Sequence, residues 1–129
     1  MTEEINWIPT DKNVENYKLL KDMLSAQKIE FDILSKKKAD GQLNSMKIKM
    51  VNRVLEPLKE LFKQEESYNF LDTLNEDEIP TNSDVVLIIS QYETAINEFK
   101  NKYYHDYRWH TEEYLEKQQE YDGGDYYNE

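Results

Sequence analysis

Apolar residues recur between positions 17 and 34 in a three-four alternation: Tyr17, Leu20, Leu24, Phe31 and Leu34, with Gln27 on the same line. That spacing is the seam of a coiled coil or a long helical bundle, and it predicts a first helix over about 11–39. Thr10 and Asp11 are good N-caps for it, and Gly41, after Ala39 and Asp40, is its natural stop. A second set, Met46, Met50, Val51, Val54, Leu55, Leu58, Leu61 and Phe62, predicts a helix over about 44–64. Pro57 lies inside that set. Its missing amide donor and its ring, which crowds the preceding turn, predict a kink there. A third line joins Val85, Ile88, Ile89, Tyr92, Ile96, Phe99, Tyr103, Tyr107 and Tyr114. It meets no glycine or proline before Gly123, so one unbroken helix over about 83–121 is expected.

These elements define an all-α fold, an elongated antiparallel three-helix bundle of coiled-coil character with its second helix kinked at Pro57. Residues 1–10 read as an N-terminal arm, with Trp7 placed to cap part of the seam. Residues 11–122 form one helical domain, and 123–129 an acidic, tyrosine-rich tail. The segment 65–82 is a turn-rich connection in which Tyr68, Phe70, Leu71 and Leu74 give a short apolar face. At 1.5 Å per residue the third helix would span about 58 Å against about 43 Å for the first, so it is expected to overhang its partners.

Composition agrees with long amphipathic helices. Three glycines and three prolines in 129 residues leave too few breakers for a sandwich or barrel with a turn every few residues. The absence of cysteine removes disulfides, zinc-thiolate sites and thiol nucleophiles. No basic-then-apolar leader opens the chain, and the longest apolar run, Val85–Ile89, is far short of a membrane span. A soluble, cytoplasmic protein is expected. Plentiful Lys, Asn, Tyr and Ile with little alanine point to an AT-rich coding bias, as in a low-GC bacterium or one of its phages.

Charge is distributed unevenly within the net −11. Residues 43–64 hold five basic and two acidic side chains, whereas 65–84 hold seven acidic and none basic. The simplest consequence is attraction between helices of opposite sign, with the surplus keeping the chain soluble. Two further readings follow. Carboxylates at Glu112, Glu113, Glu116, Glu120, Asp122, Asp125 and Glu129, together with Glu76, Asp77 and Glu78, could imitate nucleic-acid phosphates and occupy the basic groove of a DNA- or RNA-binding protein. Conversely, Lys36, Lys37, Lys38, Lys47, Lys49, Arg53, Lys59 and Lys63 could contact phosphates directly. They are scattered around the helix, and the net charge opposes that use.

The densest patch for chemistry is the run from His105 to Glu113. On a continuous helix, Asp106, His110 and Glu113 would share one face, as metal ligands do. No Glu-x-x-His occurs, no glycine-rich phosphate loop is present, and the two histidines are five residues apart. Those residues therefore read as polar pairs on a surface helix. No catalytic, cofactor or metal site is assigned, and a non-enzymatic chain is expected. The function indicated is protein–protein interaction, regulatory or assembly-related, with a homodimer as one form of it. The contact residues expected are Tyr103, Tyr107, Trp109, Tyr114, Tyr121, Tyr126 and Tyr127 with Glu112, Glu113, Glu116 and Glu120, because aromatics bury much area at low entropy cost.

Overall fold

The computed structural model describes residues 7–125, with side chains from 7 to 120. It is mostly helical, with four α-helices and one two-stranded ribbon: α1 Asp11–Lys37, α2 Ser45–Leu61, α3 Asn82–Tyr103, β1 Tyr104–His105, β2 Arg108–Trp109 and α4 Glu112–Asp125.

Helix α1 begins at a capping box. The Thr10 hydroxyl accepts from the Asn13 amide, and the Asn13 side chain accepts from the Thr10 amide. This satisfies two donors that a helix start otherwise leaves open. Val14, Tyr17, Leu24 and Phe31 are buried along it. The helix ends at Lys37, where Lys38 turns to an extended backbone. Gly41 has no left-handed φ, so conformational freedom is not why glycine stands there. Close approach is the reason, since a Cβ would lie 2.8 Å from Asn82 Nδ2.

Helix α2, capped by Asn44, buries Ile48, Val51, Val54, Leu55 and Leu58 and runs through Pro57 to Leu61 as one element. Met46 and Met50, expected in the core, are exposed, while Ile48 takes an inward place. The connection then returns along the helices it joins. Leu71 and Leu74 are buried, whereas Phe70 points outward. The Asn52 side chain donates to the Leu74 carbonyl and accepts from its amide, both at 2.9 Å. Tyr92 donates to the Asp72 carbonyl at 2.9 Å.

This return fixes the helix directions. The starts of α2 and α3 are adjacent, with the Leu43 amide bonded to the Pro80 carbonyl and Gln42 bridging Thr81. Their ends meet too, with the Phe62 and Phe99 rings 5.3 Å apart. Helices α2 and α3 are therefore parallel, and α1 runs antiparallel to both, with Lys38 beside Asn82 at one end and Tyr17 beside Ile96 at the other. The two helix pairs in extensive contact, α1 with α2 and α1 with α3, are antiparallel, while α2 and α3 run parallel to each other.

The expected single helix over 83–121 does not form. Helix α3, opened by a Thr81–Asp84 capping box, stops at Tyr103, and the chain folds back through the β1–β2 hairpin before α4 begins. At 22 residues α3 spans about 33 Å and α1, at 27, about 40 Å, so α3 does not overhang. The reason lies in the aromatic residues beyond Tyr103. They suit a strand, and the reversal lets Trp109 pack on Tyr17 at 5.1 Å and Phe99 at 6.0 Å. A straight helix would have carried that indole beyond the core. Burying an aromatic is worth roughly 1.5–3 kcal/mol, enough to outweigh helix propensity over these few residues.

The core is continuous from Phe31 and Val85 to an aromatic cluster in which Phe99 touches Tyr17, Phe62, Tyr103 and Trp109. Trp7 covers the end of that cluster, edge-on to Tyr103 at 5.7 Å. Among the described residues, no helix is long and apolar enough to cross a membrane.

Candidate functional site

The expected contact residues with described side chains lie at the end of α3, in the hairpin or along α4, but their settings differ widely. The hairpin is a two-residue turn. Tyr104 pairs with Trp109 and His105 with Arg108, leaving Asp106 and Tyr107 at the corner with φ of 56° and 67°. Positive φ at both central residues is the type I′ geometry whose twist matches the flanking strands. It usually recruits Asn-Gly. A tyrosine in the left-handed region is an outlier that its surroundings must hold in place.

Three anchors hold it. The His110 amide donates to the Tyr103 carbonyl at 2.8 Å, extending the ladder by one rung. Trp109 is seated on the core as described. The Thr111 hydroxyl, 2% exposed, donates to Asp11 Oδ1 at 2.6 Å and accepts from the Tyr114 amide, so one side chain caps α4 and ties it to α1. The Glu112 amide also donates to the Pro9 carbonyl, and Glu113 Oε1 accepts from the Asp11 amide at 2.9 Å. A carboxylate at the positive end of α1 is favourably placed.

Tyr107 is 94% exposed, the most exposed large side chain with apolar surface among the described residues. Tyr103 is buried and donates to Glu65 Oε2 at 2.8 Å, so it serves the core and offers no contact surface. Burial, then the Glu65 hydrogen bond and charge, push its hydroxyl pKa well above the ordinary tyrosine value. Trp109 is half-buried for the same structural reason. Tyr114 is half-buried beneath Arg108, which lies 5.4 Å over its ring and donates to its hydroxyl at 3.3 Å. Glu112, Glu116 and Glu120 are exposed along α4. Glu113, although exposed, is engaged by α1. Tyr121, Tyr126 and Tyr127 lie outside the residues with described side chains, as do Asp122, Asp125 and Glu129.

Two surface features were not read from the sequence. A groove of about 540 Å³ runs between α1 and the hairpin, bordered by Lys18, Lys21, Lys100 and Arg108, by one carboxylate, Asp22, and by Tyr104, Tyr107 and Trp109. Four cations converge there in an acidic chain because α1, α3 and β2 each contribute at least one. The other is on α1, where Leu19, Met23, Ile29 and Ile33 are exposed on the side away from Tyr17. The three-four seam accounts for one face of that helix, and these residues form a second.

The helical face expected for Asp106, His110 and Glu113 does not exist, because the turn separates them. The turn brings Asp106 and His110 together with His105 instead. Comparison of the chain with protein-family models, with curated proteins and with solved structures gives no match.

Proposed function

We propose that this chain is a non-enzymatic protein-interaction module in which α1, α2 and α3 act as one bundle that presents the hairpin and α4 to a protein partner. The observation that carries the reading is Tyr107. A large aromatic is held almost wholly in solvent, on a turn whose left-handed backbone costs roughly 1–2 kcal/mol for an L-residue. Nothing in the core uses that ring. A solvent-facing tyrosine has only two side-chain torsions to fix on binding, so it gains contact area at low entropy cost, as interface anchors do. The cationic groove beside it and the carboxylates of α4 give the surface both signs of charge, suited to setting the orientation of a partner.

The test is affinity capture of the tagged full-length chain from a low-GC bacterial lysate, with partners identified by mass spectrometry, alongside Tyr107→Ala. A hot-spot aromatic is worth at least about 2 kcal/mol, so the variant should recover the same partner roughly thirtyfold less well. Equal recovery by both chains would place the interface elsewhere.

A second reading, mimicry of nucleic acid, is favoured by one observation. Glu112, Glu116 and Glu120 form an exposed row at about 6 Å intervals on α4. Replacing all three by glutamine should then abolish capture of a partner with a basic groove, and raised salt should release it from the native chain. A salt-resistant complex that ignores the three substitutions would leave only the first reading. Recovery of the chain itself would identify the partner as a second copy.

A further inference from the structure

The outer face of the hairpin carries a cluster that the interaction reading does not use. One ring nitrogen from His105, one from His110 and a carboxylate oxygen from Asp106 all lie within 4.8 Å of one another. The ladder register explains the meeting. His105 faces Arg108, and His110 is two residues further along the same strand direction, so the two imidazoles are diagonal neighbours on one face. Their rings stack at 3.9 Å with 24° between planes. The left-handed backbone at Asp106 turns its carboxylate towards the same point.

We propose that His105, Asp106 and His110 form a binding site for a single Zn²⁺ ion, with water completing a tetrahedral shell. Three features argue for an ion. First, His105 Nδ1 and Asp106 Oδ2 are 3.7 Å apart, too far for a hydrogen bond. Two ligands on one tetrahedral ion at about 2.0–2.1 Å stand roughly 3.4 Å from each other, so this pair is already close to ligand spacing.

Second, His110 Nε2 lies 3.1 Å from the His105 carbonyl. A carbonyl can only accept, so Nε2 carries the hydrogen and the neutral ring keeps its lone pair on Nδ1. Metal-ligating histidines are oriented in this way, with the non-ligating nitrogen donating to a carbonyl or carboxylate. Third, the neighbouring cation is drawn off. Arg108, which shares this face, directs its guanidinium to Tyr114, 5.4 Å over that ring and bonded to its hydroxyl, and not to the Asp106 carboxylate.

Two imidazoles and one carboxylate are a borderline ligand set. It suits Zn²⁺ and does not suit Mg²⁺ or Ca²⁺, which require oxygen ligands. Closing on the ion requires the His105 ring to turn about χ2, a soft torsion, while the carbonyl bond holds His110 in place. The effect would be a cross-link between β1 and the start of α4, stiffening the turn that carries Tyr107.

Isothermal titration of the full-length chain with ZnCl₂ tests the site, with MgCl₂ as the comparison and the His105→Gln, His110→Gln and Asp106→Asn variants beside it. Asparagine tolerates the left-handed region, so the last variant removes the charged ligand and keeps the turn. The expected result is one equivalent of Zn²⁺, no saturable Mg²⁺ binding, and affinity lowered at least about tenfold in each variant. Co²⁺ should give the visible absorption of a tetrahedral site in the native chain and lose it in both histidine variants. No saturable Zn²⁺ binding overturns the proposal. So does binding that survives both histidine substitutions, which would place the ion on other carboxylates. Circular dichroism of each variant separates lost ligands from a lost fold.

Discussion

The hydroxyl of Tyr103 donates to Glu65 Oε2 at 2.8 Å, joining the end of α3 to the chain just beyond α2. Glu65 keeps only 10% of its side chain exposed, and its other oxygen is 3.5 Å from Lys102 Nζ. A carboxylate so enclosed depends on the partners it has. Tyr103→Phe removes the donor and leaves the acceptor in place, so the expected cost is about 1–3 kcal/mol in chemical denaturation. Glu65→Gln retains an oxygen that can accept and should cost less. If the two variants cost the same, the hydrogen bond is not what holds this junction.

Alkaline pH should destabilise the chain through its buried tyrosines. Burial raises the Tyr17 pKa from 10.0 to about 12. It also raises those of Tyr92, with help from the Asp72 charge, and of Tyr103. A pKa raised in the folded state means that the folded chain holds its proton longer than the unfolded chain. The associated stability is complete below pH 10 and is lost as pH rises towards 12. For Tyr17 alone the shift corresponds to roughly 2–3 kcal/mol. Urea midpoints measured at pH 8, 10 and 11.5 should stay level over the first interval and drop over the second. A drop confined to below pH 10 would contradict this assignment.

Replacing Tyr107 by glycine should stabilise the fold. The ring makes no core contact and its backbone is left-handed, so glycine relieves strain at no packing cost, for a gain of roughly 1 kcal/mol. Ile79, exposed and at φ 49°, provides a comparison at a distance from the hairpin. Both glycine variants should melt later than the native chain, but only Tyr107→Gly should lose partner capture. A lower melting temperature for Tyr107→Gly would mean that the ring contributes to the fold.

Gly41→Ala should destabilise although the backbone there permits alanine. The added Cβ would meet Asn82 Nδ2 at 2.8 Å and the Lys38 carbonyl at 3.2 Å. That amide nitrogen donates to the same carbonyl, so displacing it breaks a bond that joins α1 to α3. The expected cost is about 1–3 kcal/mol, and Asn82→Ala should cost a similar amount. Because both changes remove one interaction, the double variant should be markedly less than additive. Additive costs would show the two residues to be independent.

The extent of what the sequence reveals follows the range of the forces involved. Helical spacing is local. The apolar line from Tyr17 to Leu34, the Thr10 cap and the mostly helical character could be read directly, because neighbours three or four residues apart already define a face. No local pattern marked the end of α3. Positions 104–111 continue a helical spacing, and Asp106-Tyr107 lacks the glycine that announces a hairpin. The turn exists because Trp109 gains Tyr17 and Phe99, residues 92 and 10 positions away. The directions of α2 and α3 likewise depended on Leu71 and Leu74 being buried along the return path.

The site divides in the same way. Composition alone located an aromatic and acidic cluster in the last quarter of the chain. Tertiary packing then withdrew Tyr103 into the core, bound Glu113 to the start of α1 and left Tyr107 in solvent. It also replaced a helical triad that cannot form with His105, Asp106 and His110 brought together at the hairpin. Sequence determines which side chains are at hand and how nearby residues pair. Which of them meet across the fold is decided where burying an aromatic ring outweighs the preference of a few residues for helix.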